Sequence, residues 1–307
     1  MEPGRIVAAP DWGWWIILYF YLGGIAAGAY FIGTLIDLVG HERDRPIAKL
    51  AFYIAAPLVA ICGILLVVDL SRPERFWHML IQSNTGWPMF KYWSPMSVGA
   101  WALLLFGIFS GASFLGTLAE DARFGLGRFH GAAEKLHRGP IGILFQIAGT
   151  AVGFFIAAYT GALLSATNQP FWSDSPWIAP LFLASAASTG IAVLILLLTM
   201  NRTAPQESFV NLERTDRWAM LLEVVLLFAF ILSLGGIAPA LVTSGYGILL
   251  IGGTLIVGVL LPLLLNWRPH QMGSNTTIAA AVLALIGGLI LRYAIVMAGQ
   301  YVPVAGL

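Results

Sequence analysis

Eight long apolar stretches divide the chain, and they constrain its fold more than any other feature of the sequence. A helix that crosses a bilayer needs about 20 predominantly apolar residues, and each stretch meets that requirement. Hydrophobic residues make up 59% of the 307 residues and charged residues only 10%, which is far from the composition of a soluble domain. The sequence therefore predicts an all-α integral membrane protein with eight transmembrane helices, which form one polytopic domain over residues 1–307. The predicted spans are roughly 12–40, 47–69, 95–119, 140–165, 177–200, 218–243, 245–266 and 276–299.

Small residues are concentrated in the first and fifth spans, as GGIAAGAY at 23–30 and ASAASTG at 184–190. Small side chains let two membrane helices approach each other closely. We therefore expect the first and fifth spans each to open a four-helix half, so that the chain folds as two four-helix bundles.

Charge and cysteine content exclude several functions. The net charge is only +1, so nucleic acid is not an expected partner, and partners are sought in the lipid bilayer or at its surface. Cys62 is the single cysteine, whereas an iron–sulfur cluster or a zinc site needs several ligands, so no metal is expected in this protein. All the histidines fall in hydrophilic connections, which argues against a haem held by two histidines inside the bilayer. They are His41, His78, His130, His137 and His270.

Basic residues are unevenly distributed among the connections between spans. Cytoplasmic loops of membrane proteins carry an excess of lysine and arginine. The even-numbered connections hold only Arg72, Arg75 and Lys91, so we predict that the odd-numbered connections face the cytoplasm and that both termini face the periplasm. The basic residues of the odd connections are Arg43, Arg45, Lys49, Arg123, Arg128, Lys135, Arg138, Arg202, Arg214, Arg217 and Arg268.

The connection at about 70–94, predicted to be periplasmic, has a pattern of its own. Ser71 and Glu74 have the spacing of a capping box, and Pro73 suits the first turn of a helix. Apolar residues follow at helical spacing, so we predict a short helix that lies in the membrane interface. Further aromatic residues on this side are expected to anchor the chain in the interface. They are Trp87, Phe90, Tyr92, Trp93, Phe171, Trp172 and Trp177.

Ionisable residues occur inside the predicted spans, where a charged group costs about 2.5–3.5 kcal/mol near the bilayer centre. Asp37 in the first span either reaches the headgroups or has a function. Glu223 in the sixth span either pairs with Arg214 or Arg217 or handles protons. Arg292 in the eighth span cannot lose its proton, so it needs a carboxylate, carbonyl groups or water, and a structural ion pair is the expected role.

Polar groups also occur near the outer ends of two spans. Tyr159 lies toward the outer end of the fourth span, where a phenol can donate a hydrogen bond to a ligand oxygen. Asp69 ends the second span beside Arg72 and Arg75, a combination that can bind an amphiphilic headgroup and exchange protons with it. The alternative for Asp69 is a capping salt bridge. Gln146, also in the fourth span, is expected to form an interhelical hydrogen bond.

Several fragments together resemble the NrfD/PsrC family, the quinone-interacting membrane subunits of iron–sulfur molybdoenzymes that are typified by polysulfide reductase. The resemblance extends over nearly the whole chain, and the order of the fragments makes it specific. The fragments are YFYLGGIAAGAY in the first span, DLSRPERF at the end of the second, SPMSVGAW at 94–101, YTGALL at 159–164 and GQ at 299–300.

The resemblance implies a haem-free anchor subunit of an oxidoreductase complex, which binds menaquinone or ubiquinone near the periplasmic face of the bacterial inner membrane. It implies electron exchange with a four-cluster iron–sulfur subunit, which is itself bound to a molybdopterin catalytic subunit. By the same resemblance, Tyr159 would be the partner of a quinone carbonyl, with Asp69, Arg72 and Arg75 at the edge of the pocket.

The first span departs from the pattern of the family, which has a polar asparagine and a histidine near its outer end. This chain has WGWWIILYFY there, so Trp15 and Tyr19 would have to substitute, and His78 would supply the imidazole. Protons would come from the periplasm or would cross from the cytoplasm through buried polar groups. The predicted proton-pathway residues are Glu223, Asp37, Arg292 and Gln146.

Three other functions fit the same sequence. The first is a subunit of a larger quinol-oxidising complex, of the alternative complex III type. The second is a secondary transporter, with Glu223, Asp37 and Arg292 as coupling charges and the two halves as rocking repeats. The third is an inert anchor that tethers a periplasmic complex. GGIAP at 235–239 is a helix break of the kind that transporters use, but it has no clear counterpart in the other half.

Overall fold

The computed structural model describes residues 10–201, 206–266 and 274–304. Over these ranges the protein forms helices and no β-strand, apart from one β-bridge between Ile81 and Pro88, so the all-α prediction is confirmed. The α-helices are α1 (Trp14–Val39), α2 (Arg45–Asp69), α3 (Pro95–Glu120), α4 (His130–His137), α5 (Gly139–Ser165), α6 (Ile178–Asn201), α7 (Gln206–Ser233), α8 (Ala238–Val242), α9 (Gly245–Ile248), α10 (Leu261–Leu265) and α11 (Ser274–Tyr301). The 3₁₀ segments are Glu42–Asp44, Pro73–Met79, Arg123–Phe129 and Gly235–Ile237, and Leu249–Leu260 is a π-helical segment.

The predicted spans are present, and one of them is bent. Within the described ranges, seven helices are long and apolar enough to cross a membrane. One of the seven is Gly245–Leu265, in which α9, the π-helical segment and α10 follow each other without a break. The pair formed by α7 and Gly235–Val242, whose axes differ by 97°, makes an eighth when its two helices are counted as one bent span.

The sixth span differs from its predicted range of 218–243. α7 begins already at Gln206. The prediction missed its first turns because they are helical but too polar to belong to an apolar stretch. Arg214 and Arg217 therefore lie on the helix and not in a connection. α7 ends before Gly235, whose φ of +53° suits glycine and breaks the helical path, and Pro239 lies in the first turn of α8.

The connections alternate between two ends of the molecule. Arg43, in the first connection, and Glu207, in the first turn of α7, meet at one end with 2.6 Å between Nη1 and Oε2. We call this end the Arg45 end, after the first residue of α2, and the opposite end the Asp69 end, after its last residue. Which end faces the cytoplasm stays a prediction, as does the periplasmic position of the termini. Three residues used in that prediction or in the histidine survey lie outside the described ranges, namely Arg202, Arg268 and His270.

The helices form two four-helix bundles, as predicted. α1, α2, α3 and α5 pack in one ring, which we call the first bundle. α6, α7, Gly245–Leu265 and α11 form the second bundle. α1 packs extensively against α6, so the two spans that are rich in small residues join the bundles at the centre of the molecule.

Glycines let α1 and α6 approach until their backbones touch. A Cβ atom added at Gly28 would overlap the carbonyl oxygen of Ala186, and one added at Gly190 would lie 2.8 Å from the Gly28 Cα. Real Cβ atoms do not approach other atoms so closely. The crossing therefore depends on the absence of side chains at these two positions.

The short interfacial segment after α2 forms, but not as predicted. Residues Pro73–Met79 are a 3₁₀ helix in which no residue is buried. Its N-cap is Arg72, with no hydrogen bond from a capping side chain, so the predicted capping box of Ser71 and Glu74 is wrong. Ser71 lies one residue too early to cap this helix.

We expect Gly28→Leu to destabilise the folded protein by about 1–3 kcal/mol or more, because the new side chain would enter the space of the Ala186 backbone. Gly111→Leu is the matched control, since a Cβ at Gly111 in α3 meets no atom within 4 Å. The melting temperature in detergent and the yield of monodisperse protein measure the difference. Equal stability of the two variants would contradict the close crossing.

Candidate functional site: a cavity at the Asp69 end

A cavity of about 940 Å³ opens into the first bundle at the Asp69 end. Its walls come from α1, α2, α3 and α5, and Phe76, Met79 and Leu80 contribute to it from the segment after α2. Most of the lining is aliphatic or aromatic. The polar side chains on it are Tyr19, Asp69, Ser71 and Tyr159.

Tyr159 lines the cavity from α5, with its ring largely buried. Its hydroxyl donates a hydrogen bond to the carbonyl oxygen of Pro95, at 2.7 Å. Gly99 lies against the same phenol, and a Cβ atom at Gly99 would overlap it. The protein thus uses a glycine of α3 and the first residue of that helix to fix the Tyr159 ring.

Tyr19 faces the cavity from α1 and is almost fully buried. Among the residues that the structure describes, its hydroxyl has no hydrogen-bond partner, although its backbone carbonyl lies 3.8 Å from Cys62 Sγ. The Tyr19 hydroxyl is therefore available to a ligand in the cavity.

Asp69 is exposed at the rim of the cavity, at the last residue of α2. Within the described part of the chain it forms no ion pair with Arg72 or Arg75, so the alternative of a capping salt bridge is not supported. A carboxylate at a helix C-terminus also faces the negative end of the helix dipole. Asp69 is thus an acid that the fold leaves without a cation.

The other residues predicted for the pocket do not line it. Arg72, Arg75 and His78 lie on the exposed 3₁₀ helix, where the His78 ring contacts Trp77 with 3.8 Å between centroids. Trp15 is 49% exposed and does not belong to the cavity lining. Trp12 takes that place instead, and the sequence pattern did not indicate it.

A network of charged side chains closes the Arg45 end of the first bundle. Arg45 donates from Nη1 to Asp37 at 2.9 Å and from Nη2 to Glu120 at 2.7 Å. His137 Nδ1 lies 3.0 Å from the same Glu120 oxygen. Gln146 Nε2 donates to Asp37 at 2.8 Å, which confirms its predicted interhelical hydrogen bond. Asp37 is therefore neutralised inside the protein and does not extend to the headgroups.

His137 does not lie in a hydrophilic connection, as the sequence suggested. It ends α4 and is buried, with its ring stacked on Phe52 at 5.3 Å. Its Nε2 atom and the Oε1 atom of Gln146 are both buried and have no partner in the described part of the chain. Beside this network, partial burial acts against ionisation of Asp121, but hydrogen bonds from Lys49 and Tyr53 outweigh it and lower the pKa of Asp121.

A second polar network lies in the second bundle. Arg292 is fully buried and donates to Ser185 Oγ at 2.7 Å and to the Gly288 carbonyl at 2.9 Å, with its guanidinium 5.4 Å from the Phe182 ring centroid. Glu223 lies near the same Ser185 and near Arg292. Among the described residues, Glu223 forms no salt bridge within 4 Å, either with Arg292 or with the arginines at the start of α7.

The polar face of α7 extends from Glu223 toward the Arg45 end. Asp216 is fully buried and lies 3.4 Å from Ser188 Oγ, and Glu213 is buried as well. Neither residue was predicted from the sequence, because both lie before the predicted start of the sixth span. The four predicted proton-pathway residues therefore belong to two separate networks, one in each bundle.

The described residues contain no group of three or more His, Cys, Asp or Glu side chains that could hold a metal ion.

Comparison with known proteins identifies the family of the chain. Residues 8–305 match the family described as Polysulphide reductase, NrfD. One chain of the polysulfide reductase of Wolinella succinogenes is 32% identical over 94% of both sequences, and Protein NrfD of Escherichia coli is 27% identical over 94% of this sequence and 95% of its own. One subunit of the selenate reductase of Mesobacillus selenatarsenatis is 30% identical, but only over 36% of this sequence and 23% of its own length. The protein is a helical membrane protein that belongs to the NrfD family.

Proposed function

We propose that this protein is the quinone-binding membrane subunit of a respiratory oxidoreductase complex, which exchanges electrons between the quinone pool and an iron–sulfur subunit. The cavity in the first bundle is the observation that carries the proposal. Its wall is apolar with a few polar groups, which is the usual make-up of a small-molecule site. A relative of matching length is named as part of a reductase.

The cavity fits a quinone in size and in chemistry. Its volume of about 940 Å³ is that of a site for a ring with an apolar tail. The Tyr19 hydroxyl and the Asp69 carboxylate have no partner in the described part of the chain, and the phenol of Tyr159 faces the same space. A menaquinone or ubiquinone bound there would supply redox chemistry that couples two electrons to two protons.

The side chains of the cavity have separate tasks in this proposal. Tyr19 donates a hydrogen bond to a ligand oxygen from a buried position, and Tyr159, whose one proton goes to the Pro95 carbonyl, accepts a hydrogen bond from a quinol hydroxyl, so the two phenols orient the ring. Asp69 is exposed at the rim and therefore exchanges protons with water. Arg72, Arg75 and His78 lie above the entrance, where they attract or orient a headgroup or a partner surface without contacting the bound ring.

The Asp69 end is also the proposed docking surface for the electron-transfer partner. Aromatic side chains are exposed there beyond the cavity, with Trp87 at 73% and Tyr92 at 76%. We propose that this surface is covered by a four-cluster iron–sulfur subunit, which is joined to a molybdopterin catalytic subunit. With the charge bias of the connections, this end is periplasmic and the protein lies in the bacterial inner membrane.

Proton transfer is assigned to the two buried networks. Arg292, which lies near Glu223, reaches the first bundle, since its Nη2 would lie 2.9 Å from a Cβ at Gly24 of α1. Phe20 then separates Arg292 from the cavity, because it lines the cavity and also contacts Phe182. Asp37 and Gln146 form the start of a second route at the Arg45 end.

Three alternatives place the same protein in other settings. A larger quinol-oxidising complex of the alternative complex III type would use the same cavity, so only its partners differ. A secondary transporter is favoured by the bend of 97° after α7 but not by the position of the cavity, which lies inside one bundle and not between the two. An inert anchor would need neither cavity nor polar lining.

Filling the cavity should remove bound quinone without unfolding the protein. Gly63 lines the cavity and a Cβ atom there meets nothing within 4 Å, so Gly63→Phe places a ring in the open space. Gly111→Phe is the control, because Gly111 also has open space but does not line the cavity. Quinone is extracted with solvent from each purified protein and quantified. Equal quinone content in the two variants would contradict the proposed site.

Removing the Tyr159 hydroxyl should weaken quinol binding, because the quinol loses a hydrogen-bond acceptor. The loss of one hydrogen bond of about 0.5–1.5 kcal/mol predicts a rise of about two- to tenfold in the KM for a quinol analogue in Tyr159→Phe. Tyr30→Phe is the control, since it removes a buried phenol whose partner is Ser113, away from the cavity. A KM that changes as little in Tyr159→Phe as in the control would remove Tyr159 from the site.

Glu223→Gln tests the proton route and should not affect the cavity. The variant keeps a hydrogen-bonding side chain beside Ser185 but cannot take up a proton, so turnover should fall by about tenfold or more while quinone content stays unchanged. Glu207→Gln is the control, because Glu207 is 72% exposed on the same helix. Turnover and proton uptake are measured in proteoliposomes that contain the complex, and normal values in Glu223→Gln would exclude this route.

A further inference from the structure

Trp12 lines the cavity from the stretch of chain that precedes α1, and the second bundle holds it in place. It precedes Gly13, the N-cap of α1, and its ring lines the cavity and meets Phe20 edge to face at 6.1 Å. The preceding residue, Asp11, has a φ of +52°, in the left-handed region that non-glycine residues seldom adopt. Tertiary contacts must therefore stabilise this stretch of backbone.

Gln300 makes those contacts through both ends of its amide. Its Oε1 accepts a hydrogen bond from the Trp12 backbone N–H at 2.7 Å, and its Nε2 donates to the Trp12 carbonyl at 3.0 Å and to the Val296 carbonyl at 3.2 Å. The side chain is fully buried. This arrangement requires an amide side chain, because the oxygen accepts one hydrogen bond while the nitrogen beside it donates two.

Trp172 contacts the side chain of Trp12 and holds it in place. Its indole is stacked on that of Trp12, with 5.3 Å between centroids and 22° between planes, and its Nε1 donates to the Ile295 carbonyl at 2.8 Å. A Cβ atom at position 299 would overlap the Trp172 ring, so Gly299 leaves the space that the indole occupies. Gly299 and Gln300, the pair GQ of the sequence, therefore have the same structural effect, because both help to hold Trp12 in one position.

We propose that Gln300 and Trp172 are positioning residues of the quinone site, which act by holding Trp12 as part of its wall. This inference rests on the proposed function of the cavity. Trp12 contacts the ligand, while Gln300 and Trp172 do not line the cavity and act only through Trp12. The wall of a site in the first bundle is thus fixed by α11 of the second.

Gln300→Met tests the inference, because methionine keeps the volume of glutamine and removes all three hydrogen bonds. The Kd of a short-chain quinone analogue should rise about tenfold, since two hydrogen bonds of about 1 kcal/mol each no longer hold Trp12, and kcat at saturating quinol should change by less than about twofold. Trp172→Phe keeps a stacked ring but loses the bond to Ile295, so we expect a smaller rise in Kd.

Thr254→Val is the matched control, because Thr254 also donates a buried hydrogen bond to a carbonyl of α11 but lies away from the cavity. Binding is measured on the intact complex, together with the melting temperature of each variant. A Kd of Gln300→Met equal to that of the control would overturn the inference. If Gln300→Met does not fold, the Kd of Trp172→Phe becomes the deciding measurement. A Kd of Trp172→Phe equal to that of the control would likewise overturn the inference. Failure of the unaltered complex to bind the analogue would instead refute the proposed function.

Discussion

The contact between α1 and α6 is the constraint on which the rest of the structure depends. At Gly28 and Gly190 the two backbones touch, which leaves no room for a side chain between them. This close approach brings the two bundles together and lets Arg292 of α11 reach α1 at Gly24. Without it, the buried guanidinium would lose the cover of α1 at Gly24 and keep only its contacts with Phe182 and Ser185 inside the second bundle.

Polar side chains are paired at the Arg45 end of the first bundle, whereas two of those at the candidate site are not. At the Arg45 end, Asp37 and Glu120 both bind the same arginine, so charge is balanced where the helices must be held together. At the cavity, the Tyr19 hydroxyl and the Asp69 carboxylate find no partner among the described residues. Both groups border the open cavity, so they are accessible to a ligand or to water.

Hydropathy and small residues were enough to predict the spans and the two bundles, because both signals are local. The predicted capping box at Ser71 failed because the same spacing also fits a 3₁₀ turn that begins one residue later. In the cavity, Tyr19, Asp69 and Tyr159 were predicted, whereas Trp12 was missed. Its position depends on a hydrogen bond to a residue 288 positions away, and no local pattern can reveal such a partner.

The cavity lies in the first bundle, whereas the network of Arg292 and Glu223 lies in the second. A physical link between them has to pass through a shared element. α11 is that element, since it contacts the cavity wall at two levels. Near its C-terminus Gln300 holds Trp12, and about 12 Å earlier along the helix Arg292 lies against Phe182, which contacts Phe20. Packed interfaces tend to move between discrete arrangements and do not deform gradually. A change in the protonation of Glu223, beside Arg292, that shifts α11 would therefore be felt at both Phe20 and Trp12, which contact each other in the cavity wall.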